Sequence, residues 1–291
     1  MQKNTVSAVL AAVTAATLMG TLGFFVRESG CGAALCAFAR FGLGLLLLVP
    51  LLLRGHMGGR DFRFSALSAV SGAGISLCIL FYFMALKCMP VGLAALMVYA
   101  GPILAAAGEA LWTRRLPSRR DALPLLLSLA GLVLVFLFAG SGAKEGHICH
   151  AGVIYSLLSA AGYAVYLLLN SHLPATVSLG RRTFWQFAAG VTVLALPMLA
   201  GGGEAWSGLG TGWPYLLAIG VCHGLVVMVL IAYAARRLSA TQYGTFAYLE
   251  PAVAVLIGCQ LYGEQMAAGQ WCGFALVLLA ALAQGVRREA E

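Results

Sequence analysis

Charge is the property that this sequence has least of. Only 10% of its 291 residues are Asp, Glu, Lys or Arg, whereas a soluble globular domain carries about a quarter. Long polar segments are missing as well, because the widest gaps between apolar runs, 140–150 and 171–183, are short loops. These absences exclude a soluble enzyme and a folded domain outside a membrane.

Signatures of catalysis, metal binding and disulfide frameworks are absent too. The sequence has no phosphate-binding Gly-Lys-Ser/Thr loop, no His-Glu-x-x-His and no serine nucleophile elbow, so neither an enzyme nor a cofactor is predicted. Its eight cysteines are scattered, most of them inside apolar runs, and do not indicate a disulfide framework. His147, Cys149 and His150 share one loop, but their spacing matches no closed zinc site, and no metal is predicted.

Apolar sequence is abundant instead. Hydrophobic residues make up 61% of the chain, and the mean hydropathy is +0.92. The apolar runs are long enough to cross about 30 Å of hydrocarbon as helices, which satisfy their own backbone hydrogen bonds. An all-α membrane protein of ten transmembrane helices is predicted, with spans at 4–25, 32–53, 64–86, 91–112, 122–139, 151–169, 184–200, 213–235, 241–262 and 267–286.

Basic residues alternate with these spans in a regular way. With the amino terminus in the cytoplasm, 14 of the 18 Lys and Arg residues fall on the cytoplasmic side, and only Arg27, Lys87 and Lys144 fall outside. This positive-inside bias places both termini in the cytoplasm. The net charge of +8 therefore reflects topology and does not indicate nucleic-acid binding. A multi-pass membrane protein is predicted, with the lipid bilayer as its surroundings.

An internal repeat divides the chain. At an offset of 149 positions, residues 81–106 align with 230–255, so that Tyr99 is aligned with Tyr248 and Pro102 with Pro251. We therefore predict two five-helix repeats, 1–145 and 146–291, and the odd number of spans inverts the second repeat relative to the first. Inverted repeats are typical of secondary transporters, which bind substrate near the midplane. The two prolines are expected to kink the fourth and ninth helices, either around a cavity or for packing alone.

Several segments carry a family resemblance that covers the whole chain. FYFMALK closes the third span, YAGP lies in the fourth, AFARF in the second and LEPAVAVLIGCQLYGEQ in the ninth. With these segments the sequence resembles the drug/metabolite transporter superfamily, specifically its EamA-type ten-helix exporters. It departs from them after the fourth span, where Arg114 and Arg115 replace the Gly-Glu that the ninth span keeps as Gly263 and Glu264.

The resemblance implies a protein of the bacterial inner membrane that exports or exchanges small metabolites, such as amino acids, by alternating access and without ATP hydrolysis. The alternatives within the superfamily are multidrug or cation efflux and solute import. An alternative from another class is a non-transporting membrane scaffold or a lipid-handling protein.

Charged residues inside apolar spans are the first candidates for a binding site. Burying a charge in lipid costs about 2.5 to 3.5 kcal/mol on insertion scales, so each such residue requires a partner or a water-filled cavity. Arg40 is expected either to pair with Glu250 or to bind a substrate carboxylate, to which its planar fork is suited. Glu250 is also a candidate proton-coupling site. Glu109 lies nearer the cytoplasmic end, where it either couples transport or extends toward Arg114 or Arg115.

Uncharged polar residues add further candidates. His223, at the middle of the eighth span, is either a packing residue or part of the site. Tyr82, Tyr99, Tyr163, Tyr248 and Gln186 are expected to line the cavity, with core packing as the alternative for each. In the tenth span, Gly269 and Gly273 have the spacing of a close helix contact, serving internal packing or a homodimer.

Overall fold

The computed structural model of the chain describes residues 2–58, 61–114, 119–138, 149–235, 237, 246 and 249–288. Within these residues the protein is helical, and no strand occurs. The helices are α1 (Gln2–Gly20), α2 (Leu22–Glu28), α3 (Ala33–Leu53), α4 (Ala66–Ala85), α5 (Val91–Val98), α6 (Gly101–Thr113), α7 (Arg119–Leu137), α8 (His150–Ser171), α9 (Leu179–Ala200), α10 (Leu209–Ala218), α11 (Val227–Ala235), α12 (Leu249–Leu261) and α13 (Ala268–Arg288).

Seven helical stretches are long and apolar enough to cross a membrane. They are Val6–Glu28, Ala33–Leu53, Ala66–Ala85, Val91–Thr113, His150–Ser171, Leu179–Ala200 and Leu209–Ile231. Two shorter apolar helices, Leu249–Leu261 and Ala268–Ala280, coincide with the ninth and tenth predicted spans. The all-helical membrane fold is thus confirmed, whereas the total of ten spans and the side of the termini stay predictions.

Three of these stretches are not regular α-helices throughout. The first breaks at Thr21, between α1 and α2, and the fourth breaks at Tyr99 and Ala100, between α5 and α6. The eighth runs from α10 through a π-helical segment, Ile219–Val226, into α11. π-Helical segments are rare and occur often at functional sites.

The break in the fourth stretch follows from Pro102. A proline inside a continuous helix would lose one backbone hydrogen bond and clash with the carbonyl four residues earlier. Here Pro102 lies in the first turn of α6, where its N–H is not required. Pro251 is buried near the start of α12, and because residues 247 and 248 lie outside the described part of the chain, the kink predicted there stays a prediction.

Helices of the two halves pack in matching ways. α4 packs on α8 and α9, while in the other half α11 packs on α1 and the π-helical segment packs on α3. α6 contacts α8 as α12 contacts α1. The contacts of α3 with α9, α5 with α12 and α7 with α13 each join a helix to its counterpart. This is the pattern expected for a pseudo-two-fold axis between the halves.

The contact between α3 and α9 is reciprocal. Phe41 and Gly44 of α3 recur as Phe187 and Gly190 of α9, 146 positions later. A Cβ atom on Gly44 would lie 2.6 Å from the Phe187 ring, and one on Gly190 would lie 2.6 Å from the Phe41 ring. The two rings meet edge to face with centroids 5.5 Å apart. Each phenylalanine therefore fills the space that the opposite helix leaves at its glycine.

Glycines also bring α7 and α13 together. A Cβ atom on Gly273 would lie 2.5 Å from the carbonyl oxygen of Gly131, and one on Gly131 would lie 2.6 Å from that of Gly273. Gly269 packs directly against the ring of Phe138. The two glycines of the tenth predicted span thus serve internal packing, and the homodimer stays a prediction.

Candidate functional site

A cavity of about 300 Å³ lies between the two halves, bordered by α1 to α5, α8, α11 and α12. Most of its wall is apolar, with side chains such as Met19, Ile79, Val98, Met228 and Ile231. The polar side chains on the wall are Arg40, Cys78, Tyr82, Tyr99, Tyr163, Tyr166 and Glu250. An apolar wall with a few converging polar groups is typical of small-molecule sites.

Arg40 is the only cation that the described residues contribute to the cavity wall. The residue is 5% exposed, and Nη2 donates to Sδ of Met19 at 3.4 Å. Nη1 is buried and has no hydrogen-bond partner in the described part of the protein. Because a buried charge without a partner is costly, this nitrogen is suited to bind an anionic group that enters the cavity.

Glu250 contributes the opposite charge to the same cavity. Its carboxylate accepts a hydrogen bond from the Tyr99 side chain, at the break between α5 and α6, and its charge interacts with that of Arg40. No ion pair joins Arg40 to Glu250 within the described residues. The cavity therefore presents one acidic and one basic side chain that do not neutralise each other through direct contact.

Tyrosines complete the polar part of the wall. Tyr163 and Tyr166 of α8 stack with ring centroids 6.1 Å apart. A Cβ atom on Gly101 would lie 2.7 Å from the Tyr163 ring, so the glycine at the start of α6 makes room for this ring. Tyr82 also borders the cavity. Tyr166 was not among the predicted site residues, although its spacing of three residues from Tyr163 puts both on one helical face.

Two predicted site residues lie behind the cavity wall. His223 is fully buried in the π-helical segment, with Nε2 2.9 Å from the Leu18 carbonyl oxygen and 3.1 Å from Oγ1 of Thr21. Gln186 donates to Oγ of Ser71 and to Oδ1 of Asn170, each at 3.0 Å. Neither belongs to the residues that border the cavity, so both connect helices at this depth.

Another predicted residue, Glu109, also lies away from this wall. Glu109, near the far end of α6, lies 3.7 Å from Nε2 of His172, and its side chain is 43% exposed. It contacts His172 at the edge of the helix bundle and does not border the cavity. Tyr248 lies outside the described residues.

One end of the cavity is closed by a polar cluster that we call the Glu264 cluster: Arg27, Glu28, Tyr262, Glu264 and the backbone N–H groups of Val91 and Gly92. The Glu264 carboxylate accepts hydrogen bonds from the N–H of Val91 at 2.6 Å and of Gly92 at 3.1 Å. It thereby caps the positive amino-terminal end of α5. Arg27 approaches the same carboxylate at 3.3 Å.

Arg27 ties further segments to the cluster. Its guanidinium donates to the carbonyl oxygens of Leu86, at 3.4 Å, and Met89, at 3.0 Å. It also lies over the Tyr262 ring, 4.6 Å from the centroid. The Tyr262 hydroxyl in turn donates to Glu28 at 2.9 Å. The chain after α12 is thus bonded to the end of α2 and to the turn between α4 and α5.

The position of the cluster relative to the cavity follows from the helix register. Three residues that border the cavity give this register: Leu22 precedes Arg27, Ala254 precedes Tyr262, and Ala95 follows Val91. In each stretch the cluster residue therefore lies about one to two turns beyond the cavity, toward the same end of the bundle. The Glu264 cluster therefore lies between the cavity and this end of the bundle. Glu264 was identified in the sequence as part of the Gly-Glu motif, but no pattern in the sequence indicated its partners.

At the opposite end of the helix bundle, the equivalent position of the first repeat has the same left-handed backbone conformation but a different charge. Gly263 has a φ of 62°, and Arg114, which precedes it by 149 positions, ends α6 with a φ of 53°. The left-handed conformation is thus kept at both positions, although it suits glycine and strains arginine. At the position equivalent to Glu264 the sequence has Arg115, which lies outside the described residues.

The sequence profile of the EamA-like transporter family matches the chain twice, over residues 6–137 and 150–283. The chain belongs to the EamA-like transporter family. It is therefore a multi-pass membrane protein of a transporter family, and the resemblance seen in its sequence motifs is confirmed.

Curated relatives of this family member are named as transporters. An "Uncharacterized transporter" of Archaeoglobus fulgidus is 28% identical over 273 residues, which cover 94% of each chain. The "Threonine/homoserine exporter RhtA" of Escherichia coli K12 is 25% identical over 72% of this chain and 68% of its own. The "Uncharacterized inner membrane transporter YedA" of the same organism is 26% identical over 81% of this chain and 76% of its own.

A solved structure shares the fold. A protein known by a crystal structure superimposes with a TM-score of 0.64, over 98% of this chain and 99% of its own, at 21% sequence identity. At this identity the likeness concerns the architecture alone. The helices that border the cavity thus belong to a fold that spans nearly the whole chain.

Proposed function

We propose that the protein is a secondary transporter that exports small zwitterionic metabolites, amino acids or close relatives, from the cytoplasm by alternating access. The observation that carries the proposal is the pair of opposite charges on one cavity wall, with a buried nitrogen of Arg40 that lacks a partner among the described residues. A solute with a carboxylate and an ammonium group would complement both side chains.

The size and polarity of the cavity support the same class of solute. A volume of about 300 Å³ is at the small end of the range for ligand pockets. The apolar wall around Met19, Met228 and Ile231 would contact the solute's side chain, while Arg40 and Glu250 hold its charged end. The threonine and homoserine named for the relative RhtA are solutes of this kind.

The repeat organisation supports alternating access. The family profile matches each half once, and the matching helix contacts of the two halves agree with two repeats, 1–145 and 146–291, in inverted orientation. With both termini in the cytoplasm, the Glu264 cluster would lie at the outer end of the cavity. Opening of this cluster would release the solute to the outside, and its closure would accompany opening toward the cytoplasm.

The role of Arg40 is tested by transport kinetics. A thermal-shift screen of amino acids, nucleosides and cationic drugs on the purified protein first identifies the solute, and its uptake into inside-out vesicles gives the direction. Arg40→Lys keeps the charge but loses the bidentate fork, so KM for an amino acid should rise about tenfold or more. Arg54→Lys, an exposed arginine just past the end of the same helix, is the matched control and should leave KM unchanged.

Two results would contradict the proposed substrate site, and a third would contradict the proposed direction of transport. One is a folded Arg40→Lys protein with the KM of the wild type. The other is a screen in which only solutes without a carboxylate stabilise the protein, which would favour cation efflux. Uptake in the reverse direction only would make the protein an importer.

A further inference from the structure

We propose that Cys88 and Cys149 form an oxidisable dithiol that closes to a disulfide between the two halves of the protein. Cys88 lies in the turn between α4 and α5, and Cys149 directly precedes α8. The two residues are far apart in sequence, and their spacing gave no indication of a pair. Neither thiol takes part in the cavity or in the Glu264 cluster.

The backbone brings the two cysteines together. The N–H of Cys149 donates to the carbonyl oxygen of Cys88 at 3.2 Å. With standard bond lengths, this contact leaves the two Cα atoms at most about 7 Å apart, which reaches the separations that disulfides bridge. The side chains also lie near each other, because both are next to Gly152: Cβ of Cys88 is 3.0 Å from the position of a Cβ on Gly152, and Sγ of Cys149 is 3.3 Å from the Gly152 nitrogen.

A glycine makes this approach possible. A Cβ atom on Gly152, in the first turn of α8, would lie 3.0 Å from Cβ of Cys88 and 3.3 Å from its carbonyl oxygen. Any larger residue at this position would push Cys88 away from the helix. The close contact is therefore built into the first turn of α8.

The two thiols are not equivalent. Cys149 is the N-cap residue of α8, and its Sγ accepts a hydrogen bond from the N–H of Gly152 at 3.3 Å. The hydrogen bond from the Cys88 thiol lowers the pKa of Cys149 and raises that of Cys88. A thiolate at a helix amino terminus is the usual attacking group in dithiol chemistry, so Cys149 is the nucleophile and Cys88 the resolving thiol.

The reaction with a disulfide oxidant balances in two steps. The Cys149 thiolate attacks one sulfur of oxidised glutathione, the glutathione S–S bond breaks, and one glutathione thiolate leaves. Cys88 then loses its proton and attacks the sulfur of Cys149, the mixed disulfide breaks, and the second glutathione thiolate leaves. Two protein thiols are oxidised to one disulfide while one oxidised glutathione is reduced to two thiols.

The experiment uses the purified, reduced, full-length protein in detergent, treated with oxidised glutathione and analysed by peptide mass mapping. In the wild type we expect a linked peptide that joins Cys88 to Cys149 and no bound glutathione on either residue. Cys88→Ser should accumulate one glutathione on Cys149, and Cys149→Ser should react at Cys88 at least about tenfold more slowly. Cys259→Ser, in α12, is the matched control and should form the linked peptide as the wild type does.

Absence of the linked peptide at complete oxidation would overturn the proposal. This result is measured on the wild-type protein, so it does not depend on the folding of a variant. Equal reaction rates of the Cys88→Ser and Cys149→Ser proteins would overturn the assignment of Cys149 as the nucleophile. The test needs no transported solute and no membrane orientation, so its outcome is independent of the proposed function.

Discussion

Replacing Glu264 by glutamine tests whether its carboxylate holds one end of the cavity closed. Glutamine keeps the shape of the side chain but loses the charge, and its amide nitrogen cannot accept from a backbone N–H. The carboxylate has contacts at 2.6 Å and 3.1 Å with the N–H groups of Val91 and Gly92, and one at 3.3 Å with Arg27. The substitution should therefore favour conformations in which this end is open.

The magnitude follows from these contacts. A hydrogen bond to a charged group contributes about 1.5 to 3 kcal/mol, and a charge at a helix amino terminus about 0.3 to 1 kcal/mol. The partly exposed pair with Arg27, whose side chain is 28% exposed, adds at most about 1 kcal/mol. Since glutamine retains part of the hydrogen bonding, a loss of about 2 to 3 kcal/mol is expected. This shifts the open-to-closed ratio about 30- to 150-fold.

A cysteine already present reports on this change. Cys78 is 2% exposed and borders the cavity. In the proposed orientation the Glu264 cluster lies at the outer end, so a membrane-impermeant thiol reagent added outside right-side-out vesicles should reach Cys78 only when this end opens. Peptide mapping separates its labelling from that of Cys88 and Cys149. The labelling rate of Cys78 should rise at least about tenfold in Glu264→Gln, in line with the shifted ratio.

The matched control is Glu204→Gln, the same change at an exposed glutamate in the short helix Gly202–Trp206. It should leave the labelling rate of Cys78 unchanged. If Glu264→Gln labels at the wild-type rate, or if both variants increase labelling equally, the Glu264 carboxylate does not hold this end closed.

Two further predictions concern stability. Arg114→Gly removes a side chain from a residue with a φ of 53°, which should stabilise the protein by about 1 kcal/mol and raise Tm by about 2 to 4 °C. The control is Arg54→Gly, at a residue with a φ of −82°. A lower Tm for Arg114→Gly would contradict backbone strain at this position. Gly273→Ala would place Cβ 2.5 Å from the Gly131 carbonyl oxygen and should destabilise the protein by about 1 to 3 kcal/mol in denaturant titration. Gly42→Ala, where the nearest atom is 4.0 Å away, should change stability little, and equal effects of the two glycine variants would show that this helix contact is not tight.

Much of the fold could be predicted because lipid imposes a simple requirement on sequence. Each membrane-crossing stretch must be apolar and helical, so hydropathy located the seven stretches to within a few residues. The largest difference concerns α9, which begins at Leu179, whereas the predicted span began at 184. Arg181 and Arg182 caused this difference, because charged residues end an apolar run without ending a helix.

The cavity wall was partly predictable for the same reason. Charged and tyrosine side chains are rare in apolar spans, and Arg40, Tyr82, Tyr99, Tyr163 and Glu250 all border the cavity. His223 and Gln186 were predicted as uncharged polar residues inside spans, yet they do not border the cavity. Which face of a helix a residue occupies depends on packing, and the π-helical segment around His223 changes the register in a way that sequence did not show.

Contacts between distant segments could not be predicted at all. Arg27 and Glu264 are separated by 237 positions, and no local pattern connects them. Cys88 and Cys149 lie next to each other where the turn after α4 packs closely on Gly152. Such pairs depend on the three-dimensional arrangement of helices, which hydropathy and charge bias leave open.

The reciprocal packing of Phe41 on Gly190 and of Phe187 on Gly44 restricts how these helices can diverge after a duplication. At ordinary positions each copy of a repeat is free to change by itself. Here an enlarged glycine in one copy collides with a phenylalanine of the other copy, so a tolerated change at one position requires a compensating change in the opposite half. When a Phe or Gly residue at this helix crossing changes, its contact residue in the other half is therefore expected to change with it. The situation is like that in a symmetric dimer, where the same surface patch forms both sides of the interface.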